Sequence, residues 1–228
     1  MQLHPIGHIH TCYGEKFGVP RQSGLVEEAW GKLVFDPPYR TPDAVRGLEG
    51  FSHVWLVFVF HQAIRESWKP TVRPPRLGGN EKVGVFASRS PFRPNPIGLS
   101  VVQLDSIDLS QPDSPILNLQ GVDLVDGTPI LDVKPYIPYA DSIPNATSGF
   151  APDAPHLLTV RWHPNLDTSH LDTATQKLIE HTLAVDPRPA YQKASNSSRS
   201  YGCNISGYNI RWSVEDDTIC ITSIQPAR

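Results

Sequence analysis

The sequence predicts a mainly β protein: an antiparallel β-sandwich or β-barrel, followed by a small α+β unit. Three observations carry this. Short runs of β-branched and aromatic residues, bounded by Pro, Gly or Asp, recur through the first 135 positions. Proline makes up 23 of 228 residues, about twice its usual share, which excludes a long-helix bundle or coiled coil. Helical periodicity appears only after residue 165.

The predicted strands are 3–10, 54–60, 83–88, 99–104, 116–119 and 130–133. Residues 42–48 read as a short helix, with Thr41 as cap, Pro42 in its first turn and Gly50 after its end. Asp126-Gly127, between two strand-like runs, has the sequence form of a tight hairpin turn. Residues 141–164 are poor in apolar anchors and read as a linker or covering loop. Beyond them Asp167, Thr168 or Ser169 can cap a helix whose buried face carries Leu171, Leu178, Ile179 and Thr182, with Pro187 as its stop. Residues 207–213 and 218–224 read as a closing hairpin. The division expected is therefore a β domain over 1–140, a linker over 141–164 and an α+β unit over 165–228. That last unit is too small to be comfortably stable alone, so it should pack on the first domain or on a second subunit.

Hydrophobic residues make up 39% of the chain, enough for a real core. No apolar run approaches the length of a membrane span, and the first residues lack a signal-peptide layout. Three widely spaced cysteines, Cys12, Cys203 and Cys220, fit free thiols in a reducing cytoplasm. The net charge of −3 is unevenly spread. Residues 69–93 hold six basic side chains against Glu81 alone, whereas 94–155 hold eight acidic side chains against Lys134 alone. The basic block can attract phosphates on a mildly acidic protein.

The motifs lie in and beside that block. Arg73-Pro-Pro-Arg-Leu-Gly-Gly-Asn80 and Arg89-Ser-Pro-Phe-Arg-Pro-Asn-Pro-Ile-Gly98 set arginines on stiff, proline-fixed backbone. Each guanidinium offers a planar fork for a carboxylate or phosphate. Val122-Asp-Leu-Val-Asp-Gly-Thr-Pro129 and the following Ile-Leu-Asp-Val-Lys-Pro-Tyr136 gather three aspartates, a lysine and a tyrosine around a turn. Carboxylates there can accept hydroxyl protons, orient an amine or act as a base; Asp126 can equally cap its own turn, and Asp132 and Lys134 can be surface partners. His4, His8 and His10 share one face of the first predicted strand, but without an acidic or thiol partner they make a poor zinc site. His61-Gln62 ends an apolar strand and is better suited to hydrogen bonding.

These segments, together with Val19-Pro-Arg-Gln22, Phe58-Val-Phe-His-Gln62 and Asp186-Pro-Arg-Pro-Ala-Tyr191, resemble the TsaA-like family. The similarity is dense over 5–140 and returns at 186–191 and at Asn209-Ile-Arg-Trp212. The resemblance implies a β-barrel, a homodimer, and S-adenosylmethionine-dependent methylation of N6 of threonylcarbamoyladenosine at position 37 of threonine tRNA. Carried onto matching positions, it implies cofactor contacts at Pro20, Arg21, Gln22, His61, Gln62, Arg89, Leu99, Val122, Asp123, Leu124 and Val125.

The acceptor nitrogen is a poor nucleophile, so alignment and help with its proton are needed. Asp126 or Asp132 is the expected base, with Lys134, Tyr136 and Asn95 as orienting groups. Arg73, Arg76, Arg93 and Arg188 are the expected tRNA contacts. Two other classes compete: a tRNA-binding module without catalysis, and a metal-dependent hydrolase built on His4, His8 and His10.

Overall fold

Alternation of apolar residues is what builds the first unit. The structure, a computed structural model, describes residues 2–188 and 199–227. In chain order the strands are β1 (Gly7–Thr11), β2 (Trp30–Phe35), β3 (His53–Val59), β4 (Thr71–Val72), β5 (Val83–Gly84), β6 (Ile97–Asp108), β7 (Ile116–Gln120) and β8 (Thr128–Pro135). After β8 come a one-turn helix α1 (Pro138–Asp141), β9 (Thr159–Trp162), helix α2 (Thr173–Ala184), β10 (Tyr201–Ile205), β11 (Tyr208–Glu215) and β12 (Thr218–Pro226).

Six strands close into a barrel in the order β1-β2-β7-β6-β3-β8, every neighbouring pair antiparallel. Closure leaves the barrel no unpaired edge. Its interior is filled by every second residue: Ile9, Leu33, Leu56, Val102, Leu117 and Ile130 are all buried. The register fixes two rims. One carries the end of β1, the start of β2, the end of β3, the start of β6, the end of β7 and the start of β8. The loops at this rim are 12–29, 60–96 and 121–127. The opposite rim carries 36–52, 109–115 and the chain after β8.

β4 and β5 form a separate two-stranded arm within the loop joining β3 to β6. Residues 83–88, expected as one strand, pair only at Val83–Gly84 and then turn into a 3-10 helix at Val85–Ala87. Residues 42–48 likewise form a 3-10 turn, Pro42–Val45, rather than a longer helix. Asp126-Gly127 does turn, with Gly127 at φ 75°, but it does not join a hairpin. The strands on either side, β7 and β8, pair with other neighbours.

The C-terminal sheet runs β10-β11-β12-β9, with β9 parallel to β12. β9 lies inside the segment read as a linker; its neighbour Leu158 is buried, and the Leu158 amide donates to the Ala184 carbonyl at 2.8 Å. α2 begins later than expected. Asp172 Oδ1 accepts from the Thr175 amide at 2.6 Å and caps it, whereas Asp167 is engaged with the Ser169 amide in a preceding turn.

This unit packs against the β1–β2 loop. Phe17 stacks on Trp212 with ring centroids 6.0 Å apart. The Ser206 amide donates to the Cys12 carbonyl at 2.7 Å, and Tyr13 and Thr182 share a buried hydroxyl hydrogen bond at 3.1 Å. The buried apolar side chains of both units form one continuous core.

Candidate functional site

Every residue implied as a cofactor contact belongs to one rim of the barrel. Pro20, Arg21 and Gln22 lie in the loop after β1, His61 and Gln62 in the 3-10 turn after β3, Arg89 before β6, Leu99 near the start of β6, and 122–125 between β7 and β8. The five loops joining the barrel strands alternate between rims, so segments distant in sequence meet here.

Local hydrogen bonds hold these loops. The Phe60 amide donates to the Pro96 carbonyl at 2.7 Å, drawing His61-Gln62 against the Arg93–Pro96 stretch. The Val122 amide donates to the Ala29 carbonyl at 3.0 Å, and the Thr11 hydroxyl to the Leu124 carbonyl at 2.9 Å. Val122 and Leu124 are buried in the core, so Asp123 and Val125 alternate away from it. Phe92 is covered by cations: the Arg65 guanidinium lies 3.7 Å and the Lys16 ammonium 4.9 Å from its ring centre.

The polar centre is Arg89, Gln22 and Asp123. Arg89 donates to the Gln22 side-chain oxygen. Burial pushes the Asp123 carboxyl up to about 6, opposed by the Ser100 hydroxyl, its own amide, the Arg89 charge and the Ser23 amide. Its Oδ1 is solvent-inaccessible and has no hydrogen-bond partner. A buried carboxylate oxygen without a donor fits a ligand that supplies a hydroxyl or amine. Ser100 and Ser23 were not anticipated; a serine at an inward position of an apolar strand was the available signal for Ser100. Leu99 is 54% exposed on the outer side of the barrel wall.

Arg21 donates to the Arg188 carbonyl at 3.1 Å. Burial lowers its pKa, Asp186 raises it and Arg76 lowers it. Arg188, expected among the phosphate contacts, is itself buried. Its Nε and Nη2 reach the two Asp186 oxygens at 2.8 and 3.1 Å, and this pair holds the carbonyl that receives Arg21. The remainder of that motif, 189–191, lies outside the described residues. Arg73 and Arg76 are exposed on the arm, where Arg76 donates to the Asp153 carbonyl, and Arg93 donates to the Ser88 carbonyl at 3.1 Å.

The expected catalytic residues divide between the two rims. Asn95 and Asp126 are at the rim that carries Arg89 and 122–125. Asp126 Oδ1 accepts from the Thr11 amide at 2.9 Å and lies 3.4 Å from His10 Nδ1. Asp132, Lys134 and Tyr136 are carried away by β8: six residues of strand from Thr128 to Lys134 span about 20 Å. Asp132 and Lys134 form an exposed ion pair at 2.9 Å, which holds the ammonium above its usual range, and Tyr136 packs on His53 and Trp55. A cavity of about 540 Å³ opens at that far rim among Phe35, Tyr39, Val45, Leu48, Phe51 and Asp132.

His8 lies 3.4 Å from Asp36, and among the described residues no three His, Cys, Asp or Glu side chains gather where a metal could be held. No helix among those residues is long and apolar enough to cross a membrane.

Comparison with known proteins agrees with this fold. Residues 8–142 match the family model of the tRNA-methyltransferase O N-terminal domain, and residues 155–227 that of the TrmO C-terminal domain. The tRNA (adenine(37)-N6)-methyltransferase of Escherichia coli K12 is 46% identical, the match covering 99% of this chain and 98% of that one. A putative S-adenosylmethionine-dependent methyltransferase, RcsF, of Pseudomonas aeruginosa is 45% identical over 91% of this chain and 90% of its own length. The crystal structure of TrmO from Pseudomonas aeruginosa superposes with a TM-score of 0.81 at 37% identity, covering 100% of this chain and 97% of that one. On these grounds the chain belongs to the TrmO family of tRNA methyltransferases.

Proposed function

We propose that this chain methylates N6 of adenosine 37 in tRNA, with S-adenosylmethionine as donor and the threonylcarbamoyl form of adenosine, in threonine tRNA, as acceptor. The observation that carries the reading is one rim where Arg89 meets Gln22 beside Asp123, whose Oδ1 has no donor, in a chain 46% identical over nearly its whole length to a tRNA (adenine(37)-N6)-methyltransferase. The barrel of 1–140 would hold the chemistry and the α+β unit would brace it. A homodimer and a cytoplasmic location, where tRNA is modified, complete the proposal.

When bound, S-adenosylmethionine supplies an electrophilic methyl group on a sulfonium. Arg89 and Arg21 offer forks for its carboxylate; Asp123 offers an acceptor for a hydroxyl or amine. His61, Gln62, Leu99 and the 122–125 backbone would enclose the remainder. Asp126 shares this rim and is the base in this reading. Its Oδ1 is engaged by Thr11, so Oδ2 receives the N6 proton. Asn95 at the same rim can donate to charge developing on the carbamoyl oxygen. Asp132, Lys134 and Tyr136 have no part in it within one protomer.

Mixing the protein with S-adenosylmethionine and threonine tRNA bearing the threonylcarbamoyl group, then digesting, tests this by nucleoside mass spectrometry. The expected result is a one-methyl gain on that nucleoside and none on tRNA with unmodified adenosine. Asp126→Asn should bind S-adenosylhomocysteine normally yet turn over at least about 100-fold more slowly. No methyl gain, with both ligands shown to bind, would support the non-catalytic binding module instead.

A further inference from the structure

We propose that Trp68 and Phe86, on the β4–β5 arm, form a stacking platform for the single-stranded nucleotides beside the acceptor adenosine; this rests on the tRNA reading above. Both side chains are large, apolar and open to solvent, Trp68 at 51% and Phe86 at 73% exposure. They are 18 residues apart in sequence and are brought together by the arm. Thr71 pairs with Gly84 and Val72 with Val83, so the residues entering and leaving the arm meet at its base. The Val85 amide donates to the Pro70 carbonyl at 2.9 Å, and Val85 is buried, anchoring the arm next to Phe86. The two rings lie 6.3 Å apart at 33°, a tilted contact in which both side chains stay open to solvent.

The surroundings specify the occupant. From 65 to 93 the chain carries Arg65, Lys69, Arg73, Arg76, Lys82, Arg89 and Arg93 against two acids, Glu66 and Glu81. Such a positive field suits a polyanion. Protein–protein interface cores are depleted of charge, and two like copies of this surface would repel. Aromatic faces set in a basic surface are the means by which proteins hold single-stranded bases, because every base has a π-face. The arm springs from the loop joining β3 to β6, at the rim that carries Arg89 and Asp126, so nucleotides held on it would flank the one presented for reaction. An anticodon loop supplies unpaired bases there without melting a duplex.

Binding of a threonine anticodon stem–loop RNA, followed by fluorescence anisotropy, tests the platform. Trp68→Ala and Phe86→Ala should each raise Kd about 10-fold, while Trp68→Phe restores most of the affinity. The dependence of log Kd on log salt should keep its slope, since no phosphate contact is removed. S-adenosylhomocysteine affinity, melting temperature and molar mass by light scattering should all match the parent protein. Unchanged RNA affinity in both alanine variants, with the parent binding well, overturns the platform alone. A halved molar mass also overturns it, because the aromatic pair is then a contact between copies of the chain. A parent protein that does not bind the RNA at all removes the tRNA reading and the platform together.

Discussion

Asp123 concentrates the energetic cost of the site in one side chain. Its carboxyl sits near 6 because burial disfavours the charge more than Arg89, Ser100 and Ser23 favour it. Between the ordinary carboxylate range and about pH 6 the folded chain therefore binds more protons here than the unfolded chain. Folding stability contributed by this group is present at acid pH and falls as pH rises through that window, by on the order of 2–3 kcal/mol. Asp123→Asn removes the effect. Urea denaturation from pH 4 to 7 should show the parent losing stability relative to the variant as pH rises; parallel profiles would contradict the assignment. Arg89, the arginine beside this residue, was legible in its proline-spaced motif because that chemistry is local. The burial of Arg188 was not, since only the fold shows that Asp186 turns back to pair with it and that Arg21 uses its carbonyl.

Glycines set into β2 and β6 show how close packing governs the elements. β2 was not legible in the sequence because its inward position 31 is a glycine, which erases the apolar alternation. A Cβ at Gly31 would stand 2.9 Å from both Ile9 Cδ1 and Val122 Cγ1, so a larger inward residue does not fit. β10 was missed for a different reason: Tyr201, Cys203 and Ile205 do alternate inward, but the Gly202 and Asn204 between them are turn-type residues that mask a short strand. At Gly98 in β6 the constraint is tighter, with a Cβ 2.2 Å from the buried Phe58 ring tip. Phe58 packs edge-on against Phe60 next to His61, so displacing it disturbs the rim as well. Gly98→Ala should cost about 1–3 kcal/mol and lower the melting temperature by roughly 3–10 °C. A melting temperature within a degree of the parent would show that the ring relocates freely. The expected strand 83–88 failed for the opposite reason: its composition suits a strand, but only two residues find a partner.

The whole molecule joins two units through the β1–β2 loop, which carries Arg21 and Gln22. The β1–β2 loop packs on the C-terminal sheet at Phe17 and Cys12, and Arg21 within it is held by the Arg188 carbonyl in the segment that follows α2. The TsaA-like motifs identified the family from the sequence, and the barrel followed from that resemblance. The pairing order did not, because β1-β2-β7-β6-β3-β8 depends on long-range register rather than local period. That order is also what separates Asp132, Lys134 and Tyr136 from Asp126, although all four are close in sequence.

In the proposed function one rim holds the methyl donor and the other does not. Hydrogen–deuterium exchange with and without S-adenosylhomocysteine reads both rims in one experiment. The account expects slower exchange within 19–22, 61–63, 88–100 and 121–126, with 36–52 and 130–136 unchanged. Protection around 36–52 and 130–136, where the cavity of about 540 Å³ lies, with none at the first rim, would contradict it.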